Sequence, residues 1–159
     1  MKTRLKLILI LISYLFVSCS DDISHQMIGE WKISDMRVTM KNVPEQLLTN
    51  AKTLSLATSY QFKNDGQYCM TISKNSLEHG RKHKGEMILD PKNNQIHLKT
   101  DSLLVEKNGN WALIEKNDLN RPLFQSMSLK IEQITSNQMI LSEKESNGVI
   151  YYALDRINE

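Results

Sequence analysis

Four histidines, two cysteines and a scatter of carboxylates are the residues that could do chemistry in this chain. His79 and His83 stand four apart, a spacing that on a helix would set two imidazoles on one face as metal ligands. Gly80-Arg81-Lys82 between them disfavours a helix, and the neighbouring cations oppose a bound metal ion, so no metal site is expected. The run from His79 to Lys84 reads instead as a solvated hairpin tip, or as a basic patch for phosphate or an anionic partner. Nucleophilic catalysis needs a serine or cysteine beside a base in a setting that perturbs it, and no stretch has that form. Asp90-Pro91 reads as a turn and Glu143-Lys144-Glu145 as a solvated strand end. Nearly all six glycines fall at turns, with no glycine-rich phosphate loop. The expectation is a binding protein that is not an enzyme and carries no cofactor.

Cys19 has a different chemistry in prospect. Lys2, Arg4 and Lys6 form a positive leader, and the eleven residues Leu7 to Val17 are mostly apolar. As a helix that run covers roughly 16 Å, too little for a bilayer core of about 30 Å, so it reads as a secretory signal. Phe16-Val17-Ser18-Cys19 resembles the lipobox of bacterial lipoproteins, where a small residue precedes the cysteine that becomes the acylated N-terminus. Phe16 departs from the pattern: leucine is usual there, and Leu15 sits one place too early. The resemblance implies cleavage after residue 18, lipid on Cys19 and membrane anchoring through several acyl chains, at roughly 0.8 kcal/mol per buried methylene. Ser20-Asp21-Asp22 is similar to the acidic export signal of Bacteroidetes lipoproteins, which implies the cell-surface side of the outer membrane.

Three segments follow: a signal peptide over 1–18, an acidic lipidated tether over 19–26 without periodic pattern, and one domain over 27–159. Removing 18 of the 159 residues takes away three of the 20 basic residues and no acidic one, leaving 17 against 18. The mature charge of about −1 removes the compositional case for nucleic acid. With Cys19 acylated, Cys69 has no partner for a disulfide and reads as a small residue on the outer face of a strand. At 40% hydrophobic residues, the chain can build a packed core.

The dominant period is two. Trp31 and Ile33 share one parity while Met36, Val38 and Met40 take the other, which predicts a bulge or bend near Ser34-Asp35. Val43 to Leu56 is the one helical passage. Asn42 would cap it, Pro44 suits its first turn, and Val43, Leu47, Leu48, Ala51 and Leu54 form an apolar stripe expected to plug or cover one end of the core. Ser59 to Phe62 and Gln67 to Ile72, joined by Lys63-Asn64-Asp65-Gly66, make the clearest hairpin. Further strands are expected over 85–89, 95–99, 103–106, 111–115, 128–134, 139–143 and 149–156, with an irregular crossing loop over 117–127. Many short strands, tight turns and one early helix predict an all-β fold, an antiparallel sheet closed on itself.

Gly29-Glu30-Trp31 opens the first strand, Phe62-Lys-Asn-Asp-Gly-Gln-Tyr68 the central hairpin, and Arg156 lies in the last strand. In this order and spacing the chain resembles the lipocalin-like lipoproteins of Bacteroidetes over residues 27–156. The resemblance implies an up-and-down lipocalin-like β-barrel of eight to ten strands with a short capping helix after the first. The Leu103 to Glu115 hairpin would be an insertion or would raise the count. It also implies a structural kernel of Gly29, Trp31 and Arg156, with the guanidinium lying over the indole, a contact worth roughly 0.5–2 kcal/mol.

The expected inward residues are Trp31, Ile33, Tyr60, Phe62, Tyr68, Met70, Ile72, Met87, Leu89, Ile96, Leu98, Leu129, Ile131, Ile140, Ile150 and Tyr152. They suit a filled or nearly filled barrel, and equally an apolar ligand with one polar handle. Two functions remain open. One is a monomeric carrier that binds a small apolar ligand at the open end, lined by Tyr60, Phe62, Tyr68 and Met70. The other is an envelope protein-binding module, such as an inhibitor, immunity factor or accessory lipoprotein, using residues 76–84 and 107–127.

Overall fold

The structure, a computed structural model, describes residues 19–117, 121–124 and 126–157. The signal peptide lies outside the described residues. In chain order the elements are α1 (Cys19–Met27), β1 (Gly29–Val38), α2 (Glu45–Leu56), β2 (Thr58–Phe62), β3 (Gln67–Ile72), β4 (Arg81–Asp90), β5 (Gln95–Lys107), β6 (Asn110–Ile114), a 3-10 turn (Arg121–Phe124), β7 (Met127–Ile134), β8 (Gln138–Glu145) and β9 (Gly148–Arg156).

Neighbouring strands pair antiparallel, and β4 pairs with β5, so β1-β2-β3-β4-β5-β7-β8-β9 close into a ring of eight. The long strand β5 makes the closure. One of its edges runs along β4, while the other is shared: Gln95–Leu98 pair with β7, and Leu103–Lys107 with β6. The hairpin at Leu103 is therefore an insertion that leaves the ring at eight strands, and the two stretches expected over 95–99 and 103–106 are one continuous strand.

Bulges curl the sheet. The register shifts between Ile33 and Asp35, where the change of parity predicts it, and Trp31, Ile33 and Met36 are all buried. A second shift falls between Lys84 and Gly85. There β5 presses so close that a Cβ on residue 85 would run into the Lys99 carbonyl and the Asp101 amide, which accounts for glycine. In the lower half Trp31, Phe62, Ile96, Leu129, Met139, Leu141 and Leu154 fill the interior, each 1% exposed or less.

Four expectations need correction. Residues 19–26 do not form an unpatterned tether but the helix α1. Ile23 and Met27, four apart and so on one helical face, pack against the base of the core. Helix α2 lies where expected, but Pro44 rather than Asn42 precedes it, and no side chain caps it. Nor does its stripe plug the barrel: none of its residues is buried, and Leu47 is 60% exposed. On β8 the core takes Met139 and Leu141, leaving Ile140 only half-buried.

Candidate ligand-binding site

At the base, the chain enters the barrel beneath the side chain of Arg156. Its guanidinium carbon lies 4.2 Å from the centre of the Trp31 ring, and the two residues are paired across β1 and β9. The same guanidinium donates hydrogen bonds to the carbonyls of Ile28 (2.7 Å), Gln26 and Ser136. The Trp31 indole N–H donates to the Met27 carbonyl at 2.7 Å. These acceptors include carbonyls from the end of α1, where the helix dipole favours a cation. Gly29 has φ +133°, and a Cβ there would collide with Nη1 of Arg156. The geometry of Gly29, Trp31 and Arg156 is thus one interlocked seal, and none of the three lines the cavity at the other end.

The other end is built differently. A cavity of about 340 Å³ occupies the upper interior, at the small end of the range for small-molecule sites. Tyr68, Met70 and Ile72 of β3, Arg81 and His83 of β4, Leu98 and Thr100 of β5, and Glu143 of β8 line it. Leu123 of the 3-10 turn, with Ser126 and Met127, forms the side where β5 passes from β7 to β6. The 3-10 turn packs against β5, with Phe124 buried.

Polar groups in this wall are engaged in definite ways. The Tyr68 hydroxyl shares a hydrogen bond with Thr100 Oγ1 at 2.7 Å. The Tyr152 hydroxyl donates to Glu143 Oε2 at 3.0 Å. Arg81 donates to both oxygens of Glu78, at 3.2 Å and 2.6 Å. Burial, and secondarily the charge of Arg81, push the His83 pKa down to about 4, so this imidazole is neutral near pH 7. Burial raises the Glu143 carboxyl above its ordinary range, while the Tyr152 hydroxyl opposes the shift. Burial also raises the pKa of Tyr60 and Tyr152, which stay protonated.

Of the four residues expected to line the open end, Tyr68 and Met70 do so. Tyr60 and Phe62 lie among the core residues, stacked on one another with ring centres 5.7 Å apart, and do not line the cavity. The sequence reading missed Arg81, His83, Thr100 and Glu143. Parity could have found the first two: Arg81, His83, Gly85, Met87 and Leu89 alternate on one face of β4, so the basic run is strand and not a solvated tip. His79 stays outside β4, so the histidine pair is not on one face of a helix. Among the described residues no three His, Cys, Asp or Glu side chains come together as metal ligands.

No protein-family model matches the chain, and no curated protein matches it significantly. Among solved structures, it is similar in shape to a lipocalin-like protein from Bacteroides uniformis, at 12% identity and TM-score 0.47, covering 83% of this chain and 99% of that one. An uncharacterized protein from Bacteroides eggerthii gives 13% identity and TM-score 0.46, covering 82% and 98%. A DUF4847 family protein from Bacteroides vulgatus gives 12% and 0.41, covering 82% and 94%. Likeness at this level describes shape alone. The closed antiparallel barrel rests on the strand order and register, and the site on its own geometry.

Proposed function

We propose that this protein is a binding protein that takes a small amphipathic molecule into the upper half of its barrel, with no chemical step. The cavity carries the reading. Met70, Ile72, Leu98, Leu123 and Met127 offer an apolar wall, and Tyr68, Thr100, His83 and Glu143 supply a few fixed polar groups, the usual make-up of a small-molecule site. On the sequence resemblance, the chain is exported, acylated at Cys19 and held at the cell-surface side of the outer membrane. Replacing Cys19→Ser then moves the protein from the membrane to the soluble fraction, and an unmodified Cys19 in the intact mass of the native protein overturns the anchor.

The ligand reading is tested on full-length protein purified from its own host, by mass spectrometry of a gentle solvent extract. A small molecule at near-stoichiometric yield is expected, and Met70→Trp, which fills the cavity, removes it. Repeated absence from the wild type, or equal yield from a folded Met70→Trp, overturns the reading. A second reading, a protein-binding module, draws on the exposed Leu77, Trp111, Leu113 and Leu123 in and beside residues 76–84 and 107–127. Leu113→Asp would then abolish capture of the partner and leave the extract unchanged.

A further inference from the structure

We propose that the upper cavity selects a cation: a small organic ammonium whose head is held by Glu143 and whose apolar body lies against Met70, Ile72, Leu98 and Met127. This rests on the cavity being a ligand site and goes beyond it by fixing the charge of the head group. The argument is charge balance within the wall. Besides the phenol of Tyr68, three ionisable side chains line the cavity: Arg81, His83 and Glu143. Arg81 already has its counter-ion, since two of its nitrogens donate to the two oxygens of Glu78. His83 is buried beside Arg81 and is neutral near pH 7.

Glu143 is the group without a balancing charge. Its hydrogen-bond donor is the neutral Tyr152 hydroxyl at 3.0 Å, and the charge that acts on it is a second carboxylate, Glu145. Among the described residues Glu143 forms no ion pair with a lysine, arginine or histidine. A partly buried carboxylate in that position is costly as an anion, and burial accordingly raises its pKa. An ammonium beside it would restore the ion pair with charge-assisted hydrogen bonds, in surroundings less polar than water. A carboxylate-headed ligand meets the reverse: repulsion from the Glu143 carboxylate, and a guanidinium whose charge is already paired with Glu78. The apolar lining supplies the other half of the fit, so the ligand class is an amphipathic amine rather than a bare ion.

Octylammonium, octanol and octanoate share one body and differ in head-group charge. Calorimetric titration of each into the full chain at pH 7.5 is expected to rank octylammonium at least tenfold tighter than octanol, with octanoate weakest. Glu143→Gln should weaken octylammonium about tenfold or more, to the level of octanol, while octanol changes less than about threefold. The wild-type ranking alone decides the matter if that variant fails to fold. Octanol or octanoate matching octylammonium overturns the cation and leaves the cavity as a ligand site. No binding by any of the three, with Met70→Trp also leaving the host extract unchanged, overturns the ligand reading beneath it.

Discussion

The two ends of this barrel use the same sheet for opposite purposes. At the base Trp31 and Arg156 are bonded to carbonyls of the entering chain, side chains fill the interior, and a helix and an arginine close the end. At the mouth the polar groups line open volume, the neighbouring helix buries nothing, and a short 3-10 turn forms part of the wall. The contrast separates the half that carries the packing from the half that carries the open volume. A filled, interlocked base lets the upper half carry a half-buried carboxylate and a cavity, both of which cost stability.

The largest break of that contrast is at the indole. Trp31 is fully buried, stacked under Arg156 and bonded to Met27. Trp31→Ala is expected to cost about 3–5 kcal/mol in urea unfolding, the range for emptying an aromatic core site. A loss below about 1 kcal/mol would mean that the base does not carry the fold. Gly29 sharpens the point from the backbone. At φ +133° an alanine is strained by about 1–3 kcal/mol, and it also pushes against Arg156. Gly29→Ala should therefore destabilise the chain by at least that amount, although it adds one methyl group to a residue with no packing role. An unchanged midpoint would show the Arg156 contact to be loose.

The mouth is sensitive to pH. The folded-state pKa of His83 is depressed from 6.5 to about 4 by burial and by Arg81. Between those values the unfolded chain binds more protons than the folded one, so stability is present above pH 6.5 and is lost as the pH falls towards about 4. The midpoint of thermal unfolding should drop across that window, and His83→Gln should flatten the drop. Glu143 acts with the opposite sign: its raised pKa means that its contribution worsens as pH rises through the carboxylate range. A His83→Gln profile parallel to the wild type would place the imidazole in water.

How much of this could be read from the chain depends on how cleanly the period of two is written. The switch of parity at Ser34-Asp35 identifies the β1 bulge because Trp31, Ile33, Met36 and Val38 leave no second choice of face. The pairing of Trp31 with Arg156 follows from family resemblance and stands in the register. The site was hidden at β8. Met139-Ile140-Leu141 is an unbroken apolar run that fits either parity, and the wrong one turns Glu143 outward. Charge misled in the same way at Arg81-Lys82-His83-Lys84, where outward lysines mask an inward arginine and histidine. At α1 the Ile23 and Met27 pair is too short to register as a period against the acidic residues around it.

The smallest expected effect tests the open side of the mouth. Helix α2 has the sequence of a covering element, an apolar stripe along one face, and yet contacts β1 without burying any of its side chains. An exposed leucine gains little on folding, so its stripe tells what the helix could cover, not what it covers. Leu47→Gln should shift unfolding by no more than about 0.5 kcal/mol, as expected for a surface position away from packed features. Leu141→Ala on β8, fully buried, should cost about 2–5 kcal/mol in the same assay. A Leu47→Gln cost approaching the Leu141→Ala value would mean that α2 is packed against something in solution. The upper half would then be closed on that side, and the difference between the two ends would shrink to the cavity itself.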